Sequence, residues 1–137
     1  MENKKGFTLI ELLATITMMG ILVSMAVVSM VKYIDKAKET VYKDYEETLK
    51  DAAASYYLNN TGLLPRAGSS EKATVTATAL IDQGYLDDMR DPKNDSLDCN
   101  NASYVTVTRN ADVDFNMDLE YQVCLVCSKY KSSSCDG

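Results

Sequence analysis

The feature that most constrains this chain is an apolar run, Phe7 to Val31, that holds a single charged side chain, Glu11. Wound as a helix, 25 residues span about 37 Å. That is enough to cross a hydrocarbon core of about 30 Å. Lys4 and Lys5 sit just before the run, so the positive-inside rule leaves the N-terminus in the cytoplasm and sends the rest outward. The anomaly is Glu11. A carboxylate in a membrane span costs a few kcal/mol or more, so such residues are read as functional by default.

Three readings compete for this segment. A secretory signal has an apolar core of about 7–15 residues followed by a small-x-small cut; this run is longer, and no clear cut site follows Val31. A plain membrane anchor fits the length but does not place an acid in its first turns. The third reading is a signal cut before the apolar run. Gly6-Phe7-Thr8-Leu9-Ile10-Glu11, preceded by a basic leader, resembles the N-terminal motif of type IV pilins and pseudopilins. The resemblance implies that a prepilin peptidase cuts after Gly6, that the new N-terminal Phe7 is methylated, and that Glu11 serves assembly.

The chemistry of Glu11 can also be argued directly. Cleavage after Gly6 frees an α-amino group on Phe7 with a reference pKa of about 7.7–8.0. Glu11 lies one helical turn along, or reaches the amino end of a neighbouring subunit. Opposite unit charges about 4 Å apart attract by about 4 kcal/mol at an effective dielectric of about 20. The resemblance implies the intermolecular pairing. A carboxylate that snorkels, or is protonated in lipid, is the plainer alternative.

The chain has 137 residues, room for one span and one small domain. Loss of Met1–Gly6 removes Lys4, Lys5 and Glu2, moving the net charge from -6 to -7. Histidine is absent, which removes the commonest acid–base residue and zinc ligand. No Ser-His or Cys-His pair and no Gly-rich phosphate loop exist. The chain therefore reads as a non-enzyme without a cofactor.

After Val31 the composition changes but the helical period continues. Ile34, Ala37, Val41, Tyr45, Leu49, Ala52, Ala53 and Tyr56 recur at three- and four-residue intervals, the period of one helix face. Glu39–Lys43 and Glu46–Lys50 are favourable i,i+4 pairs. No proline interrupts residues 7–59, so one helix of about 80 Å is expected. Its first half (7–31) is apolar all round; its second half (32–59) has one apolar stripe and must pack on something. Gly62 is expected to stop it. The pilin resemblance implies the same design. Gly20 lies where many family members carry a helix-softening glycine, but Val28 stands where many carry a proline.

Residues 60–137 are left to form a head. Thr74–Asp82 is ambiguous: its threonines favour a strand, while Ala77, Leu80 and Ile81 before Gly84 suit a short helix. Asp87–Asn101 is polar, contains Pro92 and reads as loop. Ser103–Arg109 alternates and reads as a strand. Val113–Cys127 holds one long strand or two short ones, and the last ten residues read as tail. One helix followed by an antiparallel meander gives an α+β class, with a long helix packed through its second half on a small antiparallel sheet.

Cys99, Cys124, Cys127 and Cys135 all lie in this head, on the side of the membrane where disulfides persist. Cys124 and Cys127 face opposite ways if both belong to one strand, because three is an odd step. They are therefore not expected to pair with each other. The expected bridges are Cys99–Cys124 and Cys127–Cys135, with free thiols or a thiolate zinc site as alternatives. Asp112, Asp114, Asn116, Asp118 and Glu120 alternate with Val113, Phe115, Met117, Leu119 and Tyr121. A solvated acidic strand face explains both sets. The other reading, a calcium loop, lacks the glycine and glutamate that an EF-hand places at its sixth and twelfth positions. No metal site is assigned. Ten acids face three bases between Asp82 and Glu120. Direct nucleic-acid binding is thereby disfavoured, leaving Lys129 and Lys131 as the basic patch at the tip.

The sequence is thus read as a pilin-like subunit. It is made in the cytoplasmic membrane, held by lipid before assembly, cut after Gly6 by prepilin peptidase, and passed by an assembly platform into an extracellular filament of itself and other pilins. Two alternatives stay open: a pseudopilin of a secretion or DNA-uptake system, and a membrane-anchored extracellular binding domain.

Overall fold

A computed structural model describes residues 6–110 and 119–136. They fall into two units, residues 1–37 and 38–137.

The first long element is α1, Leu9–Asn59. It runs through Gly20 and Val28 without a break, as the absence of proline requires. In the first unit, every described residue from Gly6 to Ala37 is exposed. This part of α1 is apolar and long enough to cross a membrane by length and composition.

In the second unit the C-terminal part of α1 supplies one wall of the core. Tyr42, Leu49, Ala52, Ala53 and Tyr57 are buried, with Tyr45 and Tyr56 packed at the margin. The expected stripe is therefore rotated by about one residue at both ends: Tyr42 and Tyr57 point inward where Val41 and Tyr56 were anticipated. The helix ends at Asn59, but Gly62 is not its stop. The amides of Asn59 and Asn60 donate to the carbonyls of Ser55 (3.1 Å) and Tyr56 (2.9 Å). These side-chain bonds reinforce the last turn, where the Tyr56 carbonyl also accepts the Asn60 N–H at 3.0 Å. Gly62 instead sits in a short 3-10 turn, Thr61–Leu63.

The other wall is a three-stranded antiparallel sheet in the order β1-β4-β5. Its strands are β1 (Ala73–Thr76), β4 (Tyr104–Arg109) and β5 (Leu119–Cys124). The register places Val105 opposite both Val75 and Val123, and Val107 opposite both Ala73 and Tyr121. Alternation sends these residues toward the α1 stripe and turns Thr74, Thr106, Gln122 and Cys124 to the other face. The ambiguous segment 74–82 proves to be both things in turn: β1 runs straight into α2, Ala77–Asp82. The Thr76 hydroxyl caps α2 by accepting the Ala79 N–H at 3.2 Å. Gly84, at φ +80°, takes the chain out of it, a conformation that costs a residue with a Cβ.

The segment Asp87–Asn101, expected as loop, holds a two-stranded hairpin. It pairs β2 (Arg90–Asp91) with β3 (Asn94–Asp98). All five β3 residues are exposed, so the strand has no apolar face from which an alternation could be read.

The disulfides correct the expected pairing. They join Cys99 to Cys127 and Cys124 to Cys135. The reason is the parity of β5. Leu119, Tyr121 and Val123 pack against the core, so Cys124 points to the outer face. There the 3-10 turn Ser133–Asp136 brings Cys135 over it. Past β5 the chain turns, with the Cys127 N–H donating to the Tyr130 carbonyl at 2.8 Å, and Cys127 meets the buried Cys99. The tail is thus ordered by its bridge. The loops closed span 28 and 11 residues. On chain-entropy grounds removing either bridge costs about 3–4 kcal/mol, slightly more for the longer. Non-reducing peptide mapping is expected to recover Cys99–Cys127 and Cys124–Cys135. A paired Cys124→Ser/Cys135→Ser variant is expected to lose about 3 kcal/mol in chemical denaturation.

Candidate functional site

The N-terminal site is built at the start of α1. The Thr8 carbonyl accepts the first helical bond, from the Leu12 N–H at 3.1 Å. The Thr8 N–H donates to Glu11 Oε2 at 3.2 Å. In return the Glu11 N–H donates to Thr8 Oγ1 at 3.4 Å. This reciprocal pair is a capping box, in which two otherwise open N–H groups find side-chain acceptors. The sequence reading passed over Thr8, although Thr-x-x-Glu before an apolar run is the legible signal for this motif.

The arrangement bears on the cost of Glu11. A carboxylate in the first turn faces the positive end of the helix dipole, a favourable interaction of about 0.3–1 kcal/mol. A hydrogen bond from a backbone N–H adds to this. Phe7 and Leu9 are 86% exposed, so the end of the helix is an open apolar surface with one acid. Gly6 lies immediately before it, also exposed, and an added Cβ there would meet nothing within 4 Å.

The sequence motif and one known protein are similar to this chain. The prokaryotic N-terminal methylation motif matches residues 1–30. The chain is also 33% identical, over 87 residues, to the type IV major pilin protein PilE of Neisseria gonorrhoeae. That match covers 64% of this chain and 50% of PilE. The chain is type IV pilin-like. It spans about half the length of the curated relative it matches. No solved structure matches it significantly. The motif lies over the start of an apolar helix that is long enough to cross a membrane by length and composition.

In the head of this pilin-like chain a polar cluster joins helix, hairpin and tail. Asp91 is fully buried. Its Oδ1 accepts the Tyr42 hydroxyl at 2.8 Å and the Lys93 N–H at 2.9 Å. Its Oδ2 accepts the Ser128 N–H at 2.9 Å and the Ser128 hydroxyl. One turn along α1, Glu46 Oε1 accepts the Tyr130 hydroxyl at 2.8 Å and the Ser132 hydroxyl. The Tyr42 and Tyr130 rings stack between the two acids, centroids 4.5 Å apart. Lys93 Nζ stands 5.9 Å from the centre of the Tyr42 ring. Among the described residues no buried side-chain nitrogen or oxygen lacks a partner, as a stable buried network requires.

Burial alone would push the Asp91 carboxyl up. The hydrogen bonds from Ser128, Lys93 and Tyr42 prevail and bring it down to about 2. Burial, followed by the bond to Asp91 and its charge, pushes Tyr42 up. Burial and the bond to Glu46 do the same for Tyr130. Both phenols therefore stay neutral donors. Asp91 has four donors around it, so its work is structural. The acidic alternation Asp112, Asp114, Asn116 and Asp118 lies outside the described residues; Glu120 is exposed on β5.

The sign of the Asp91 effect is fixed. Its folded pKa lies below the ordinary carboxylate value of 3.8, so its stabilisation is complete above about pH 5 and is lost as the pH falls toward 2. The amount is about 2 kcal/mol. Denaturation of the detergent-solubilised chain between pH 5 and pH 2 is expected to show this loss. Asp91→Asn is expected to be less stable at pH 5 and flatter across that window.

Proposed function

We propose that this chain is a prepilin, matured by cleavage between Gly6 and Phe7 and polymerised through α1 into a surface filament. The observation that carries the reading is the methylation motif over residues 1–30, which contains Gly6, Phe7 and Glu11 at the spacing described above. The likeness to PilE, a type IV major pilin, supports it. In this reading residues 1–6 are the leader, 7–31 the membrane span and later filament core, 32–59 the amphipathic half-helix and 60–137 the head. Prepilin peptidase and an assembly platform are the implied partners, together with other pilins. The head lies outside the cytoplasmic membrane before assembly, with the N-terminus inside.

Glu11 has two successive roles here. Before assembly it caps its own helix through Thr8. During assembly it receives the charged Phe7 amine of an incoming subunit, in a helix core where the low dielectric strengthens the attraction. The mechanism is positional: the ion pair sets the register, and close helix–helix packing of residues 7–31 takes the place of their contact with lipid.

Mass spectrometry of mature protein is expected to find Phe7 at the N-terminus, carrying one methyl group. A mature chain beginning at Met1, or beyond Val31, would remove the proposal. Glu11→Ala is expected to leave cleavage and head folding intact and to ease insertion, because an intramembrane acid has gone. Filament growth is expected to fail, and Glu11→Gln to fail with it if charge rather than shape is needed. Normal filaments from cells making only Glu11→Ala would refute the registration role.

A further inference from the structure

The two bridges interlace. Along the chain the cysteines come in the order Cys99, Cys124, Cys127, Cys135. The native bonds join the first to the third and the second to the fourth. Four cysteines allow three pairings, and nothing in the unfolded chain favours this one. The consecutive pairing, Cys99–Cys124 with Cys127–Cys135, closes loops that are each three residues shorter than the native loops of 28 and 11. Closure entropy rises with the logarithm of loop length, so the consecutive bridges form more readily by factors of about 1.2 and 1.6. Export from the N-terminal side of the head, which rests on the filament reading above, also presents Cys99 and Cys124 to an oxidant before the other two.

The fold selects against that consecutive pairing. Leu119, Tyr121 and Val123 pack on the core, where Cys99 is itself buried, and alternation turns Cys124 to the other side of β5. Joining Cys124 to Cys99 requires β5 to slip by one residue, which sends its apolar side chains to solvent. A chain with the consecutive bridges therefore cannot close its core. Nor can it correct itself. The sequence holds four cysteines, and two wrong bridges use them all, so no thiolate of its own is left to begin an exchange. The native head resists exchange for a different reason. Cys99 is 0% and Cys124 2% exposed, so each native bridge has one buried half.

We infer that this chain is the substrate of a thiol–disulfide isomerase on the outer side of the membrane, a protein that presents a reactive cysteine thiolate. The first bridges are made by protein disulfides, two of which are reduced to dithiols as the four thiols are oxidised. The exchange that follows needs no net oxidation. The isomerase thiolate attacks Cys99 Sγ, the Cys99–Cys124 bond breaks, and Cys124 leaves as a thiolate. Cys124 attacks Cys135 Sγ, forming Cys124–Cys135 and freeing Cys127. Cys127 attacks Cys99 Sγ, forming Cys99–Cys127 and expelling the isomerase thiolate. Two disulfides are present before and two after. Closure of the core over Cys99 and Cys124 then ends the exchange.

The test follows the bridges of the full-length chain. Cells are pulse-labelled, free thiols are blocked at successive times, and the bridges are mapped. Cys99–Cys124 is expected in the earliest exported chains, and Cys99–Cys127 with Cys124–Cys135 in later ones. In parallel, detergent-solubilised chain is reduced and unfolded, air-oxidised in denaturant until no thiol remains, and returned to native buffer. Its non-native bridges are expected to persist there. Reduced protein disulfide isomerase, added in catalytic amount, is expected to cause their complete loss in favour of the native pair. Native bridges that form first in cells, or non-native bridges that rearrange in thiol-free buffer, would each overturn the inference while leaving the filament reading in place. A head retained on the cytoplasmic side of the membrane would overturn both.

Discussion

Everything in the head depends on one act of burial. A three-stranded sheet with valines on one face is unstable in water unless that face is covered, and the second half of α1 covers it. Leu49, Ala52 and Ala53 lie against Val75, Val105 and Val107 in a single core. The two alanines matter as much as the leucine, because small side chains let the helix backbone approach the sheet. A core this small leaves little margin. The remaining ties are made by disulfides and by buried hydrogen bonds.

Those ties are concentrated rather than spread. Asp91 draws together a residue on the helix, the backbone of its own hairpin and a residue near the tail, across sequence separations of 49 and 37. Glu46 reaches 84 and 86 residues onward to Tyr130 and Ser132. Ser132 in turn accepts the Leu125 N–H, and Ser103 accepts the Val126 N–H. The segment after β5 has almost no regular secondary structure, and these side chains supply the partners its backbone needs. The Cys99–Cys127 bridge holds the same segment from within the core, and Cys124–Cys135 holds it from the opposite face of the sheet.

What the sequence made legible follows from periodicity. The helix, the strand Ser103–Arg109 and the α+β class were readable because each has an apolar face that recurs at a fixed step. The hairpin 90–98 was not, because an exposed two-stranded ribbon imposes no such step. The segment 74–82 looked ambiguous because a strand and a helix adjoin there with no turn residue between them. The bridges were legible only in part: Val123 on the apolar face sends Cys124 outward, but the hairpin before Cys99 has no apolar period from which the side of Cys99 could be read. Asp91 left no local trace. A buried acid and an exposed one look alike in a list of residues, and its donors come from distant parts of the chain. At the N-terminus the motif was plain, but the role of Thr8 was overlooked beside its more conspicuous neighbours.

The Thr8–Glu11 pair has one more consequence. The first N–H groups of a helix have no partner within it and must be settled by side chains, by water or by the peptide that precedes them. Here two of those groups are settled by side chains inside the first turn. Among the described residues, the first turn is thus capped from within, by Thr8 and Glu11, and not by anything upstream of Phe7. A chain built this way can have the peptide before that residue exchanged, shortened or removed while the geometry of its leading turn is preserved. The end of the helix is in effect finished in advance.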